Sequence, residues 1–270
     1  MADTIVLIDG LNFLYRGNIE FKKTEKSSDY TAVFLFFKNL THLIEEFSPA
    51  KVFFVLEGKN NFRYQLFSEY KANRIVKKAA ALPKEVFDAQ RDIVIGLLPY
   101  LPITMVKADG FEADDTIYNL ALNMVGEDIV VVSTDKDYTQ LLQKNLSVRV
   151  FNPTKKEFVE APEYHFLTFL SLAGDTADNI PSIVSEASAK ELAQNPDALI
   201  EFLSGEENRA NFNLNRQLIE FARFDESALE FIDHHTDFPL LKQEFERMEF
   251  KSVVEPAYWI RFCKAFGKLR

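Results

Sequence analysis

Residues 110–121 read GFEADDTIYNLA, which puts Glu112, Asp114 and Asp115 within four positions. Ile117, Leu120 and Ala121 follow at helical spacing, so the acids fall on the first turn of a helix predicted over 112–124. The positive end of the helix dipole favours such acids by about 0.3–1 kcal/mol each. Glu112 and Asp115 are nevertheless three apart on one face, where like charges repel. A bound cation relieves that repulsion.

Other acids stand at equivalent places. Asp9 follows the apolar run TIVLI (4–8), Glu57 follows VFFVL (52–56), and Asp135 and Asp137 follow IVVVS (129–133). Asp175 and Asp178 lie in GDTADN. One such acid reads as a helix cap or a turn residue. Five placements of the same kind share a better explanation, because ligands of open α/β sheets gather at the carboxyl ends of strands. Setting these nine aside leaves 32 of the 41 acidic residues against 31 basic ones, so the excess negative charge is concentrated in the candidate site. Oxygen donors without Cys or His select hard cations, Mg²⁺ or Mn²⁺. Nine carboxylates suggest two ions, partly bound through water; a pair about 3.5–4 Å apart clamps both oxygens of a phosphoryl displacement.

The elements that position these acids alternate. Strands are predicted at 4–8, 52–56, 103–106, 129–133 and 147–151, with helices over 32–47, 84–98 and 112–124. The Asp9-Gly10 pair reads as an exit turn. This order predicts an α/β fold with a mainly parallel central sheet and helices on both faces. After about Pro162 the segments EYHFLTFLSLA, KELAQNPDALIEFL, ENRANFNLNRQLIEFARF and PAYWIRFCKAFGKL all read as helical. The expected division is 1–160 and 161–270.

The chain has 270 residues, a net charge of −10 and 26 phenylalanines. A single cysteine, Cys263, excludes an internal disulfide or a cysteine-based zinc cluster. No apolar run reaches the roughly 18 residues of a membrane span, and MADTIVLIDG lacks a basic leader, so a cytoplasmic protein without membrane attachment is expected. An acidic total argues against nucleic acid, but the distribution does not. Lys59, Arg63, Lys71, Arg74, Lys77 and Lys78 face only Glu69 between residues 59 and 78, and Arg261, Lys264, Lys268 and Arg270 crowd the last ten positions.

Two families fit the carboxylates. Asp135-Lys136-Asp137-Tyr138-Thr139 resembles the D-x-D-x-T nucleophile motif of haloacid-dehalogenase-type phosphatases. That motif belongs directly after the first strand, and it leaves Asp9 and the EADD cluster without a role. The second resemblance covers nearly the whole chain. VLIDG with LYR (6–10, 14–16), FRYQLFSEYKANR (62–74), GFEADD (110–115), STDKDYTQLL (133–142) and GDTADNIP (174–181) resemble, in order and approximate spacing, the 5′-nuclease family of 5′–3′ exonucleases and flap endonucleases.

The resemblance implies a PIN-like core that includes a short basic arch (about 59–90), followed by a helical domain with a helix–turn–helix-type module for duplex DNA. It implies that Asp9, Glu112 and Asp114, with Asp115 beside them, hold one metal group, and that Asp135, Asp137, Asp175 and Asp178 hold the other. Glu57 stands where the family has Asp. Lys71 is expected on the scissile phosphate and Arg74 on the same backbone. Tyr70 is expected to stack on a base. Arg63, Lys77, Lys78 and Lys190 are expected to meet nucleic acid. The substrates implied are DNA with a 5′ end or flap and RNA–DNA hybrids, cut by a monomer in a bacterial or phage-infected cell. The family's duplex module continues with a glycine-rich hairpin that binds K⁺. Here SIVSEASAKEL has no glycine between Ile180 and Leu203 and adds Glu186, so weaker K⁺ and duplex binding are expected. A relative that binds nucleic acid but has lost catalysis is the remaining alternative.

Overall fold

A computed structural model describes residues 3–21, 30–72, 84–144 and 146–270. In chain order these form β1 (Thr4–Asp9), α1 (Gly10–Phe21), α2 (Thr31–Phe47), β2 (Lys51–Val55), α3 (Arg63–Leu66), α4 (Lys84–Leu97), β3 (Thr104–Ala108), α5 (Ala113–Asn123), β4 (Asp128–Val132), α6 (Thr139–Leu142), β5 (Val148–Asn152) and β6 (Glu157–Phe158). There follow α7 (Phe166–Ala173), α8 (Glu186–Gln194), α9 (Pro196–Phe202), α10 (Glu206–Ile219), β7 (Leu229–Ile232), α11 (Phe238–Arg247), α12 (Lys251–Val254) and α13 (Pro256–Phe266).

The strands make one sheet in the order β6-β5-β4-β1-β2-β3-β7. The central five are parallel, and β6 and β7 close the two edges antiparallel. Alternate residues feed two cores. Val6, Ile8, Val130 and Val132 pack with α2 and α4, while Ile5, Leu7, Ile129 and Val131 pack with α5. Burial on both faces is why these strands read as continuous apolar runs.

Two departures from the sequence expectation concern the elements. Gly10 does not end a turn; it opens α1 directly. A Cβ there would lie 2.5 Å from the Val55 carbonyl oxygen, so only glycine lets α1 start this close to β2. The second part of the chain also does not stay together as one helical body. Its strand β7 pairs with β3, and α11–α13 return to the core face of α2. Leu241, Phe245, Phe262 and Phe266 are fully buried there, with the Phe37 and Phe245 rings 4.9 Å apart. Much of the phenylalanine surplus serves this interface. Among the described residues, α7–α10 build satellite clusters outside the two sheet faces, around Leu170, Leu218 and Ile219 with Tyr70 added, and around Leu172, Ala189 and Phe212.

The turn between α7 and α8 closes without the expected glycines. Gly174 takes φ +70°, Asp175 and Ile180 exchange backbone hydrogen bonds (3.0 and 2.8 Å), and the Ile183 amide donates to Leu172 O (2.8 Å). Ser185 then caps α8 by accepting from the Ser188 amide.

Candidate active site

Asp9 ends β1 and is 8% exposed. Its carboxylate accepts from the Asn12 amide (3.2 Å) in the first turn of α1, from Ser133 Oγ (3.1 Å) and from Tyr138 OH (3.2 Å). Burial and the Asp135 charge push its pKa up to about 6 against those bonds. Glu57 follows β2 and accepts from the Ala113 amide (3.1 Å) in the first turn of α5. It keeps solvent contact, yet the surrounding protein, Glu112 and Asp9 push its carboxyl up to about 7.

Glu112 is the N-cap of α5. It pairs with Lys71 Nζ, accepts from Tyr70 OH (3.0 Å) and lies 3.6 Å from the Arg63 guanidinium. Burial opposes its charge, but Lys71 and Arg63 outweigh burial and hold its pKa below the ordinary range. For Asp114 the same two cations, Arg63 and Lys71, do not outweigh burial and the neighbouring acids. Burial, then Asp115 and Glu112, push its pKa well above the ordinary value. Lys71 holds a left-handed φ of +59°, and its ammonium stands 3.9 Å from Asp178 Oδ2 as well as on Glu112. Strain of this kind persists where surrounding contacts enforce it; here the Lys71 amide donates to Asp178 O (2.8 Å).

The remaining acids lie on two loops. Asp135 caps the short 3₁₀ turn after β4 by accepting from the Asp137 amide (3.0 Å). Asp175, after α7, accepts from the Ala177 amide (2.7 Å) and pairs with Lys136 Nζ (3.0 Å). Burial opposes its charge, but Lys136 and the Ala177 and Asp178 amides hold its carboxyl below the usual range. Asp137 is pushed well above it by burial and Asp135, with Asp175 and Asp178 adding to the rise. Its Oδ1 is buried without a hydrogen-bond partner.

These groups share one cleft. Tyr138 lies among them, 1% exposed, and burial, then the charges of Asp9, Asp114, Asp135 and Glu57, raise its pKa. Glu112 joins them through Glu57 and Asp114, and Asp137, Asp175 and Asp178 through Asp135, so Asp9, Glu57, Glu112, Asp114, Asp135, Asp137, Asp175 and Asp178 form one continuous cluster of charge. Among the described residues, no group of three or more acids is arranged to hold a metal ion as it stands. Lys71 and Lys136 supply the positive charge between them. The donors fit hard divalent ions on two observations. They are all carboxylate oxygens, and Asp137 Oδ1 is a buried acceptor with nothing to accept from.

Three expected site residues are corrected. Arg63 is not a surface cation for nucleic acid. It is 1% exposed, grips Asp115 through two bonds (2.5 and 2.8 Å), and donates to the carbonyls of Leu218 and Glu220. Asp115 is thereby turned away from any metal; it is 0% exposed and also accepts from the Ala222 amide (2.7 Å). This pair ties α3 and α5 to the end of α10. Tyr70 is no base-stacking platform: it is 3% exposed, packs with Phe166 and Ile219, and spends its hydroxyl on Glu112 and Asp178. Residues 59–72 of the expected arch form a loop and the single turn of α3, packed against the GF/EADD segment. Arg74, Lys77 and Lys78 lie outside the described residues. Lys190 is exposed on α8, away from these contacts, beside the Tyr164 and Phe169 rings.

Asn12, Ser133, Lys136 and Tyr138 were not singled out in the sequence. Three of them lie in the STDKDY motif, beside or between its acids. That adjacency was the available signal.

Among the described residues no helix is long and apolar enough to cross a membrane. The fold is similar to that of phage T5 D15 flap endonuclease, solved as a pseudo-enzyme-product complex with DNA and metal ions. The TM-score is 0.60 at 20% identity, covering 80% of this chain and 86% of that one. In sequence, the chain is 30% identical over 192 residues to a 5′–3′ exonuclease of Buchnera aphidicola subsp. Schizaphis graminum. That match covers 66% of this chain and 65% of the Buchnera protein, just under two thirds of its length. It is 29% identical over 196 residues to flap endonuclease Xni of Shewanella denitrificans, covering 67% and 72% of the two chains. Residues 4–166 match the family model described as 5′–3′ exonuclease, N-terminal resolvase-like domain, and the chain belongs to that family.

Proposed function

We propose that this protein is a divalent-metal-dependent, structure-specific 5′ nuclease that hydrolyses phosphodiester bonds near the 5′ ends or flaps of DNA. The observation that carries the reading is the meeting of eight carboxylates, from the ends of β1 to β4 and the exit of α7, around Tyr138 and Lys71. Family membership and the DNA- and metal-bound T5 relative support it.

Two ions, Mg²⁺ or Mn²⁺, are assigned to Asp9, Glu57, Glu112 and Asp114 and to Asp135, Asp137, Asp175 and Asp178. When bound, such ions supply a water ionised near neutral pH and a Lewis acid for the phosphate oxygens. The chain's own residues do the rest. Ser133, Tyr138 and the Asn12 amide hold the Asp9 carboxylate in place. Tyr70 and Arg63 hold Glu112, and Lys71 offers an ammonium to the negative charge that develops on the phosphate. Arg74 is assigned to the same strand and Lys190 to duplex phosphates. RNA–DNA hybrids are included as substrates, and the working form is a monomer in the cytoplasm.

The phosphatase reading gives Asp135 the nucleophile's role and leaves Asp9 and the EADD cluster without one. The setting of Asp135 among seven other acids favours shared ions instead. The test is cleavage mapping on 5′-labelled flap, nicked-duplex, hybrid and single-stranded substrates, with Asp135→Ala beside the wild type. Metal-dependent cuts near the 5′ end that vanish in Asp135→Ala, with DNA binding retained, are expected. An Asp135→Ala protein that cuts at the wild-type rate, or turnover of small phosphate esters in place of DNA, overturns the reading.

A further inference from the structure

The carboxylates of the cleft are served by two lysines in parallel arrangements. Lys71 pairs with Glu112 of the first group, and Lys136 pairs with Asp175 of the second at 3.0 Å. Lys136 lies in the STDKD loop between Asp135 and Asp137, while Asp175 belongs to the turn after α7. The ammonium therefore bridges two separate loops. Its side chain is 57% exposed, so nothing packs it permanently in that position. Partial burial works against its charge, but Asp175, then Asp137 and Asp135, raise its pKa. One lysine neutralises only part of this group, and Asp137 Oδ1 remains without a donor. A divalent ion carries twice the charge and accepts several oxygens at once, so it outcompetes a single ammonium for Asp175.

We propose that Lys136 is a placeholder cation: a divalent ion displaces it from Asp175, and the released ammonium then contacts a phosphate of the bound strand. The inference rests on the nuclease reading above. It makes metal loading and substrate grip one event. The acids give up a lysine in exchange for an ion, and the freed lysine adds positive charge at the rim of a cleft that would otherwise repel DNA.

The experiment compares wild type, Lys136→Met and, as a second non-ionic variant, Lys136→Gln, with Lys136→Arg as the conservative rescue. The first readout is Mn²⁺ affinity by calorimetry without DNA. The second is the salt dependence of binding to a fluorescent flap DNA in Ca²⁺, followed by anisotropy. Removing the competitor tightens Mn²⁺ binding about two- to five-fold, the scale of a largely exposed ion pair. The same variants lose roughly one phosphate contact, so the slope of log K against log salt falls by about 0.7–0.9, and Lys136→Arg restores it. Unchanged or weaker Mn²⁺ binding in both non-ionic variants overturns the inference, because Lys136 then only positions Asp175. An unchanged salt slope overturns the release onto phosphate. A wild type that binds no Mn²⁺ removes the nuclease reading itself, which distinguishes the two failures.

Discussion

Asp9→Asn is expected to make the metal-free protein more stable while removing its function. The ordinary carboxyl pKa of 3.8 rises to about 6 at Asp9. An acid that ionises less readily in the fold than in the unfolded chain stabilises the fold at low pH, and that contribution is lost as pH rises through the raised value. For Asp9 the window runs from about pH 4 to pH 6. At about 1.4 kcal/mol per unit, the ionised carboxylate costs the fold roughly 3 kcal/mol at pH 8. Asn removes the charge and keeps the shape. Ser133 and Tyr138 both donate to Oδ2, so the amide oxygen takes that side and its NH₂ faces the Asn12 amide. Losing that bond returns about 1 kcal/mol. The net gain is about 2 kcal/mol, or roughly 4–8 °C in Tm for a chain of this size. Thermal unfolding in EDTA at pH 8 and again near pH 4 measures it. At the lower pH the charge cost fades while the lost bond remains, so the gain should disappear and give way to a loss of at most about 1 kcal/mol. A variant less stable than wild type at pH 8, or a shift independent of pH, refutes the reasoning that this site is held together against charge repulsion.

Arg63→Met leaves the buried Asp115 carboxylate unpaired and should cost about 3–5 kcal/mol, with much of it recovered in the Arg63→Met/Asp115→Leu double variant; denaturant titration of the set decides this. Gly174→Ala forces a side chain into φ +70° with its Cβ 2.6 Å from Ile180 O, and should cost about 2–3 kcal/mol of stability by the same measurement. At subsaturating Mg²⁺, kcat/KM should climb between about pH 5.5 and pH 8, because Asp9 and Glu57 ionise only near 6 and 7 and metal binding needs them charged. A flat profile over that range contradicts the assignment.

Much of the fold was legible because parallel strands buried on both faces leave continuous apolar runs, and those at 4–8, 52–56 and 129–133 fall within a residue of β1, β2 and β4. Six of the eight acids were legible because each follows a strand or opens a helix, where chain topology converges; Asp175 and Asp178 follow α7 instead and stood out only through the GDTADN motif. What the sequence hid has physical causes. β7 is a short edge strand, LEFI, without a clear apolar alternation. The return of α11–α13 to the sheet rests on phenylalanines that serve any helical core equally well. The fate of Arg63 and Asp115 is a tertiary event. Both lie in motifs full of functional charge, and only their burial at the end of α10 shows that they pair with each other. Tyr70 was misassigned for a similar reason, since a tyrosine beside a lysine in a charged motif suits a base stack and a buried hydrogen-bond donor alike.

Titrating the wild type, Asp114→Asn and Asp137→Asn with Mn²⁺ and counting bound ions by electron paramagnetic resonance addresses the centre of the account. Wild type should take up two ions. Each variant should lose one of them, Asp114→Asn from the first group and Asp137→Asn from the second. Wild-type uptake in both variants, or none in the wild type, would contradict it.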